Sequence, residues 1–203
     1  MSKPVRQTPK GWYSCLEAGT TAIRRPYDIA KFPRQGLPCV VVYHLPSFTD
    51  CSAWSLFRKK DSFHIQTITW RQSVDARRLS DPLEGVRLGI LPAPTLEERF
   101  APTDSAWCTS QLQKLAAIHL NPFVPAGSIC LDGESFGVHI PYKVDLEWCC
   151  SGPSDWQELI SWTHEFVGRF REPDDGERGV APNGGPARRL RDSGAAEGPP
   201  SVS

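Results

Sequence analysis

The sequence predicts an α+β fold, with a single domain in which a mainly antiparallel sheet is covered by helices. Three observations favour this fold. Short runs of residues alternate in polarity with the period of strands, other segments place apolar residues at helical spacing, and turn signals join neighbouring strands closely enough for hairpins. The length of 203 residues suits one domain, which we predict to span residues 38–171.

The first half of the chain contains two predicted strands. Residues 1–37 have isolated aromatic residues without a sustained period, so we expect an irregular lead-in there. A β-branched run over residues 38–43 is typical of a buried strand. We expect a loop over residues 44–53, and residues 62–70 alternate as a second strand. A short helix is expected near Val74 to Leu79.

The second half of the sequence predicts a helix followed by a meander of three strands. Asp104 suits the N-cap of a helix over residues 104–119. The Asp132-Gly133 pair is typical of a two-residue hairpin turn, and a second reversal at residues 141–143 completes a three-stranded meander. This register sets Ile129 against Phe136, Phe136 against Trp148, Val138 against Leu146, Ile140 against Val144 and His139 against Asp145.

A second helix is predicted over residues 154–171 and would cover the meander together with the first. Ser154 and Gln157 have the spacing of a capping box. Trp162 and His164 fall at opposite edges of its apolar stripe. Beyond it, residues 172–203 are rich in Gly and Pro and contain no aromatic residue, so a disordered tail is predicted.

Composition excludes some functional classes. Lys plus Arg and Asp plus Glu are equal at 23 each, so no charge excess indicates nucleic acid or an anionic membrane as a partner. Since no apolar run is long enough for a transmembrane helix or a signal peptide, we predict a cytoplasmic protein. Seven cysteines without a repeated spacing indicate reduced thiols.

Two arrangements leave a small hydrolase open as the alternative function. Residues 133–137 match the G-x-S-x-G elbow at Ser135, and Asp145 and His164 follow in the chain order of elbow enzymes. The elbow needs a helix directly after its serine, whereas Ser135 opens an alternating strand. Cys149 with His139 is the second arrangement. Ser135 at a strand-to-helix elbow would favour the enzyme, and Ser135 inside a hairpin would remove it.

A metal site is a third possibility. Cys39, His44 and Cys51, with Cys149 and Cys150 elsewhere, supply sulfur and nitrogen ligands in sufficient number. The short C-x2-C or H-x3-H pairs that make a zinc signal specific are missing from the sequence. We therefore predict no metal and no cofactor.

The face of the meander opposite its apolar side is predicted to be accessible. It carries polar side chains, among them His139, Asp145 and Glu147, while Trp162 offers an apolar anchor. The sequence therefore favours a non-catalytic module that binds another protein. In this interpretation His139, Asp145, Glu147 and Trp162 form the binding surface.

The end of the domain resembles small bacterial α+β proteins, some of which are immunity proteins that neutralise a toxin. The matching pattern is Leu131-Asp-Gly-x-x-Phe136, Leu146-Glu-Trp148 and Gly152-Pro-x-x-Trp156-x-x-Leu159. These are structural residues, so the resemblance implies a fold and a class of partner but no site. The chain departs from nuclease-neutralising types because it lacks their acidic excess.

Overall fold

A computed structural model describes residues 10–29, 36–80, 93–121 and 133–171. These residues form helices and a six-stranded antiparallel sheet, which confirms the predicted α+β class. The chain divides into two units after Arg171, and all of the described residues belong to the first. The predicted disordered tail at 172–203 and the predicted turn residue Asp132 lie outside the described residues.

The sheet has six strands, and most neighbours in the sheet are also consecutive in the chain. Its strands are β1 Val40–Pro46, β2 Cys51–Lys59, β3 Ser62–Trp70, β4 Leu96–Thr103, β5 Glu134–Ile140 and β6 Val144–Cys149. Their order across the sheet is β4-β3-β2-β1-β5-β6. The first four strands form a meander, and the β5–β6 hairpin is added beside β1.

The helices lie before, between and after these strands in the chain. They are α1 Lys10–Arg24, α2 Pro26–Ile29, α3 Gln72–Ser80, α4 Ser105–Ala117 and α5 Gln157–Phe170, with a 3-10 turn at Ser154–Trp156 ahead of α5. The predicted short helix near Val74 is therefore confirmed. The irregular lead-in is wrong over α1, and the expected loop over residues 44–53 is shorter, because β1 reaches Pro46 and β2 begins at Cys51. Within the described ranges, no helix is both long and apolar enough to cross a membrane.

One side of the sheet, here called the α5 face, packs against α4 and α5. Its buried core is mainly aliphatic and aromatic. From the strands it includes Val40, Val42, Trp54, Leu56, Phe136, Val138 and Trp148, and from the helices Cys108, Leu159, Trp162 and Phe166. This is the apolar side that the alternation of β5 and β6 predicts, covered by the two predicted helices.

The opposite side, here called the α1 face, contains a smaller cluster. Ile23 of α1 packs there with Tyr43, Cys51, Ala53, Ile68 and Trp70. Helix α1 approaches closely because Gly19 faces the ring of Trp70, and a Cβ added at Gly19 would lie 2.4 Å from it. The face that the sequence predicts to be open is therefore partly covered.

The hairpin β5–β6 has the predicted register, in which Phe136 faces Trp148 and His139 faces Asp145. The third strand of this group differs from the prediction. On its other side β5 pairs with β1, and His44 occupies the place opposite Phe136 that was predicted for Ile129. A long-range pairing of this kind leaves no local signal, whereas a hairpin turn does.

The two predicted helix starts differ in outcome. Asp104 caps α4 as predicted, since its Oδ1 accepts from the amides of Ala106 and Trp107. The capping box at Ser154 is wrong. The Ser154 hydroxyl donates to Asp155 instead, and the Trp156 amide donates to the carbonyl of Pro153. The 3-10 turn thus provides a backbone hydrogen bond at the start of α5, where the sequence predicts a capping side chain.

The cysteines are not all reduced. Cys15, Cys39, Cys51, Cys108 and Cys149 are free thiols. Cys150 is disulfide-bonded, which corrects the prediction of reduced thiols at that position. The seventh cysteine, Cys130, lies outside the described residues.

Candidate binding surface on the β5–β6 hairpin

The turn between β5 and β6 presents an aromatic side chain in a strained backbone conformation. The Lys143 amide donates to the Ile140 carbonyl at 3.0 Å, which closes a four-residue turn with Pro141 in its second position. Tyr142 in the third position has φ 62°, as a type II turn requires. Glycine normally fills that position, because left-handed backbone costs other residues about 1 to 2 kcal/mol.

Tyr142 gains no burial in return for this strain. Its residue surface is 92% exposed, the largest value among the large hydrophobic residues that are exposed in the described part of the chain. A buried ring could offset the backbone cost by removing apolar area from water. At Tyr142 that compensation is absent from the folded chain.

His139 is held between the hairpin and α2. Its ring stacks on Tyr27 with centroids 5.9 Å apart and an interplanar angle of 16°, and its Nε2 lies 3.2 Å from the Tyr27 hydroxyl. On the other side, Nδ1 lies 3.8 Å from Oδ1 of Asp145. Burial raises the pKa of the Tyr27 phenol. Two neighbours therefore orient His139 on the α1 face.

Asp145 is the most accessible of the predicted binding residues. Its side chain is 74% exposed, and its contact with His139 is long for an ion pair. Charges in such a position contribute little to folding. The carboxylate is therefore available to a partner at little cost in stability.

Glu147 is engaged within the fold. Its Oε1 accepts from Arg24 at 2.7 Å and its Oε2 from the Tyr43 hydroxyl at 3.0 Å. Burial first, and then the Glu147 charge, raises the pKa of the Tyr43 phenol. The Tyr43 ring lies over Gly137, where an added Cβ would be 2.0 Å from a ring atom. Glu147 thus ties α1 to the hairpin and retains only part of its surface.

Trp162 is not the surface anchor that the sequence suggested. Its residue surface is 4% exposed, its ring stacks on Phe166 at 5.2 Å, and its indole N–H donates to the Gln111 carbonyl at 3.0 Å. Helix α4 covers this edge of the α5 stripe, and sequence spacing alone does not reveal such a neighbour. Tyr142 was missed because proline in the second turn position fits type I and type II turns alike, and only a type II turn gives the next residue a positive φ.

The residues of the alternative serine triad are not brought together. Ser135 lies inside β5, and its Oγ is 3.3 Å from Sγ of Cys149 across the strand pair. Ser135 and Asp145 belong to the α1 face. His164 is on α5, with its ring 5.1 Å from Phe136 of the other face. Ser135 thus lies in a hairpin strand, as the alternation predicts, and not at a strand-to-helix elbow.

The cysteine arrangement also fails on distance. Cys149 lies four residues after Asp145 on β6, and Asp145 is the residue opposite His139. Four residues of a strand span about 13 Å, which is well beyond hydrogen-bond reach between Cys149 and His139. The geometry thus gives Cys149 no activating histidine at this position.

The histidine and cysteine side chains that could serve as metal ligands also lie apart from one another. His44 packs against Phe136 with ring centroids 4.4 Å apart on the α5 face, whereas Cys51 belongs to the α1 cluster. Nε2 of His44 lies 2.7 Å from Glu134, but burial outweighs that carboxylate and lowers the histidine pKa. Across the described ranges, no three His, Cys, Asp or Glu side chains converge as metal ligands would.

Comparisons with protein-family models, with curated proteins and with solved structures found no match to this chain. The geometry of the hairpin therefore carries the functional argument.

Proposed function

We propose that the protein is a non-catalytic module that binds another protein, and that the tip of the β5–β6 hairpin is its contact surface. The observation that carries this proposal is Tyr142, an exposed ring on left-handed backbone. Strained backbone persists where function requires it. A tyrosine also supplies a large contact area with few rotatable bonds, and tyrosine is enriched at interface hot spots.

The surroundings of Tyr142 suit an interface. Asp145 adds an exposed carboxylate, while His139 and Tyr27 provide oriented polar groups beside it. An apolar anchor with a polar rim is the usual arrangement of a protein contact. The predicted binding set is thereby revised, with Tyr142 in place of Trp162 and with Glu147 at the margin.

The kind of partner and the location belong to the same proposal. The resemblance to immunity proteins supports a partner that is neutralised on binding, and we propose a cytoplasmic complex. A cytoplasmic location requires the disulfide at Cys150 to be reduced or transient in the cell, because lasting disulfides are rare in the cytosol. Alkylation of the protein inside intact source cells tests this point, since an oxidised Cys150 in the cells would overturn a cytoplasmic location.

Replacing Tyr142 by glycine separates a binding role from a structural one. We expect Tyr142→Gly to raise the free energy of unfolding by about 1 kcal/mol, because glycine relieves the left-handed strain. The same change should reduce partner capture at least about tenfold, since it removes the anchor. Urea denaturation measures the first effect. Quantitative capture from source-cell lysate, with the full chain as bait, measures the second.

Phe48 provides the matched control. It is 77% exposed and lies in the loop between β1 and β2, at the opposite end of β1 from the Tyr142 turn. Phe48→Ala should leave capture unchanged. Equal capture by wild type and Tyr142→Gly, or equal losses for both variants, would overturn the proposed surface.

A further inference from the structure

Strand β6 is an edge strand, so the backbone amides and carbonyls on its outer side could pair with an added strand. Within the described residues no strand pairs with the far side of β6. The Cys150 amide donates to the Glu134 carbonyl at 2.8 Å, which shows that the even-numbered residues of β6 direct their backbone groups toward β5. Since this direction alternates along a strand, Asp145, Glu147 and Cys149 direct theirs outward.

The two edges of the sheet differ in how they are protected. The edge strand β4 carries Pro102, which has no amide hydrogen, and charged residues that include Glu97 and Glu98. Proline protects an edge because it cannot donate a hydrogen bond to an added strand. Strand β6 contains no proline over its six residues. Of the two edge strands that the structure describes, β6 is therefore the better suited to accept another strand.

The side chains along β6 indicate what that strand would carry. Asp145 and Glu147 point to the α1 face, so positions beside them favour Lys or Arg. Val144 and Leu146 point to the α5 face and are half-buried, so positions beside them favour apolar residues. Cross-strand pairs of this kind stabilise a pair of strands and favour one register over others.

We infer that β6 accepts an extended segment of the protein partner as an added strand, and that this segment alternates basic and apolar residues. The inference rests on the proposed function and specifies its binding mode. Backbone hydrogen bonds would supply affinity, and the alternating side chains would supply specificity. Tyr142 then lies at the end of the added strand as an anchor.

A second copy of the chain fits this edge less well. Antiparallel self-pairing must match outward groups with outward groups. The two registers that align most of β6 set either Asp145 against Glu147 or Glu147 against its own copy. Like charges directly opposite each other destabilise a strand pair. A basic segment from a different protein avoids that repulsion.

The test uses the full chain and a synthetic peptide of about eight residues in which lysine and valine alternate. Amide hydrogen exchange followed by NMR reports on the edge directly. We expect the amides of Asp145, Glu147 and Cys149 to exchange at least about tenfold more slowly with peptide. The amides of Leu146 and Trp148 already donate to β5, so their exchange should change less.

Control peptides separate backbone pairing from charge. A glutamate–valine peptide should bind at least about tenfold more weakly, and so should the lysine–valine peptide with N-methylated amides along one edge. In the protein, Asp145→Pro removes an outward amide without removing a bond to β5. Asp145→Asn removes the charge alone, so weaker binding by Asp145→Pro than by Asp145→Asn is the expected order.

The outcomes are distinguishable from those of the proposed function. Unchanged exchange at these three amides with about 1 mM peptide, or equal binding of the methylated peptide, would overturn the added strand. Partner capture that still depended on Tyr142 would then leave the proposed function standing. Capture independent of Tyr142 would overturn the proposed function, whatever the peptide does.

Discussion

The two faces of the sheet are stabilised in different ways. On the α5 face, aromatic and aliphatic side chains from five strands and two helices pack together, and Phe166 contacts Trp107, Trp162 and Phe170. The α1 face has a smaller cluster and a buried charge at Asp75. One face therefore distributes its stability over many side chains, whereas the other depends on a few positions.

Asp75 joins three parts of the α1 side. It lies on α3 and is fully buried. Its Oδ2 accepts from the Trp70 indole at 2.8 Å and from the Thr95 amide at 2.8 Å, and its Oδ1 accepts from the Thr95 hydroxyl at 2.7 Å. Arg78 lies 2.9 Å from the same carboxylate. This network fixes α3 against the end of β3 and the start of β4.

The largest expected effect is at the centre of the α5 face. Phe166→Ala should lower the free energy of unfolding by about 4 kcal/mol, since truncating a buried ring loses its transfer energy and leaves a cavity. Urea denaturation measures the change. Phe170→Ala, at a half-buried ring of the same helix, should cost clearly less. Equal costs at the two positions would contradict the assignment of Phe166 to the core centre.

The second effect concerns the polar network of the α1 face. Asp75→Asn should cost about 3 kcal/mol, because an amide N–H₂ would face donors that now reach a carboxylate oxygen. Asp61→Asn, at an exposed aspartate of the β2–β3 turn, should change stability by less than about 0.5 kcal/mol. A cost for Asp75→Asn as small as that of the control would show that the network contributes little.

The Asp75 carboxylate should also make the free energy of unfolding depend on pH. Burial opposes its charged form, but hydrogen bonds from Thr95 and Trp70 and the charge of Arg78 outweigh burial and lower its pKa below the ordinary 3.8. The unfolded chain therefore binds this proton at higher pH than the folded chain. The stabilisation is present above pH 3.8 and is lost as pH falls through the lowered folded value. Urea midpoints of wild type and Asp75→Asn should converge in that acidic range.

The smallest expected changes in stability are those of glycine-to-alanine substitutions in α1 and α5, and they have opposite signs. Gly19→Ala should destabilise by about 2 kcal/mol, because its Cβ would overlap the Trp70 ring. Gly168→Ala in α5 meets no atom within 4 Å, so it should stabilise by up to about 1 kcal/mol through helix propensity. Thermal denaturation of both variants checks the signs. Stabilisation by Gly19→Ala would mean that α1 is not held against Trp70.

Local patterns were sufficient where the determining contacts are close in sequence. The β5–β6 register and the cap at Asp104 follow from residues within a few positions of each other. Helix α1 was missed because Cys15, Gly19 and Ala22, which it buries beside the larger Ile23, are small residues that do not mark an apolar face clearly in the sequence. Strand β2 was missed because seven of its nine residues are buried or half-buried on both faces, so polarity does not alternate clearly.

At the candidate site, too, the sequence predicted some features and the tertiary structure decided others. Sequence register alone put His139 opposite Asp145 on one face with Glu147, because strand alternation and a short turn determine it. Only the tertiary structure decided which of these residues remain available, since α1 and α2 bring Arg24 to Glu147 and Tyr27 to His139. It likewise buried Trp162 under α4 and left Tyr142 exposed. Burial depends on neighbours distant in the chain, and no local period encodes them.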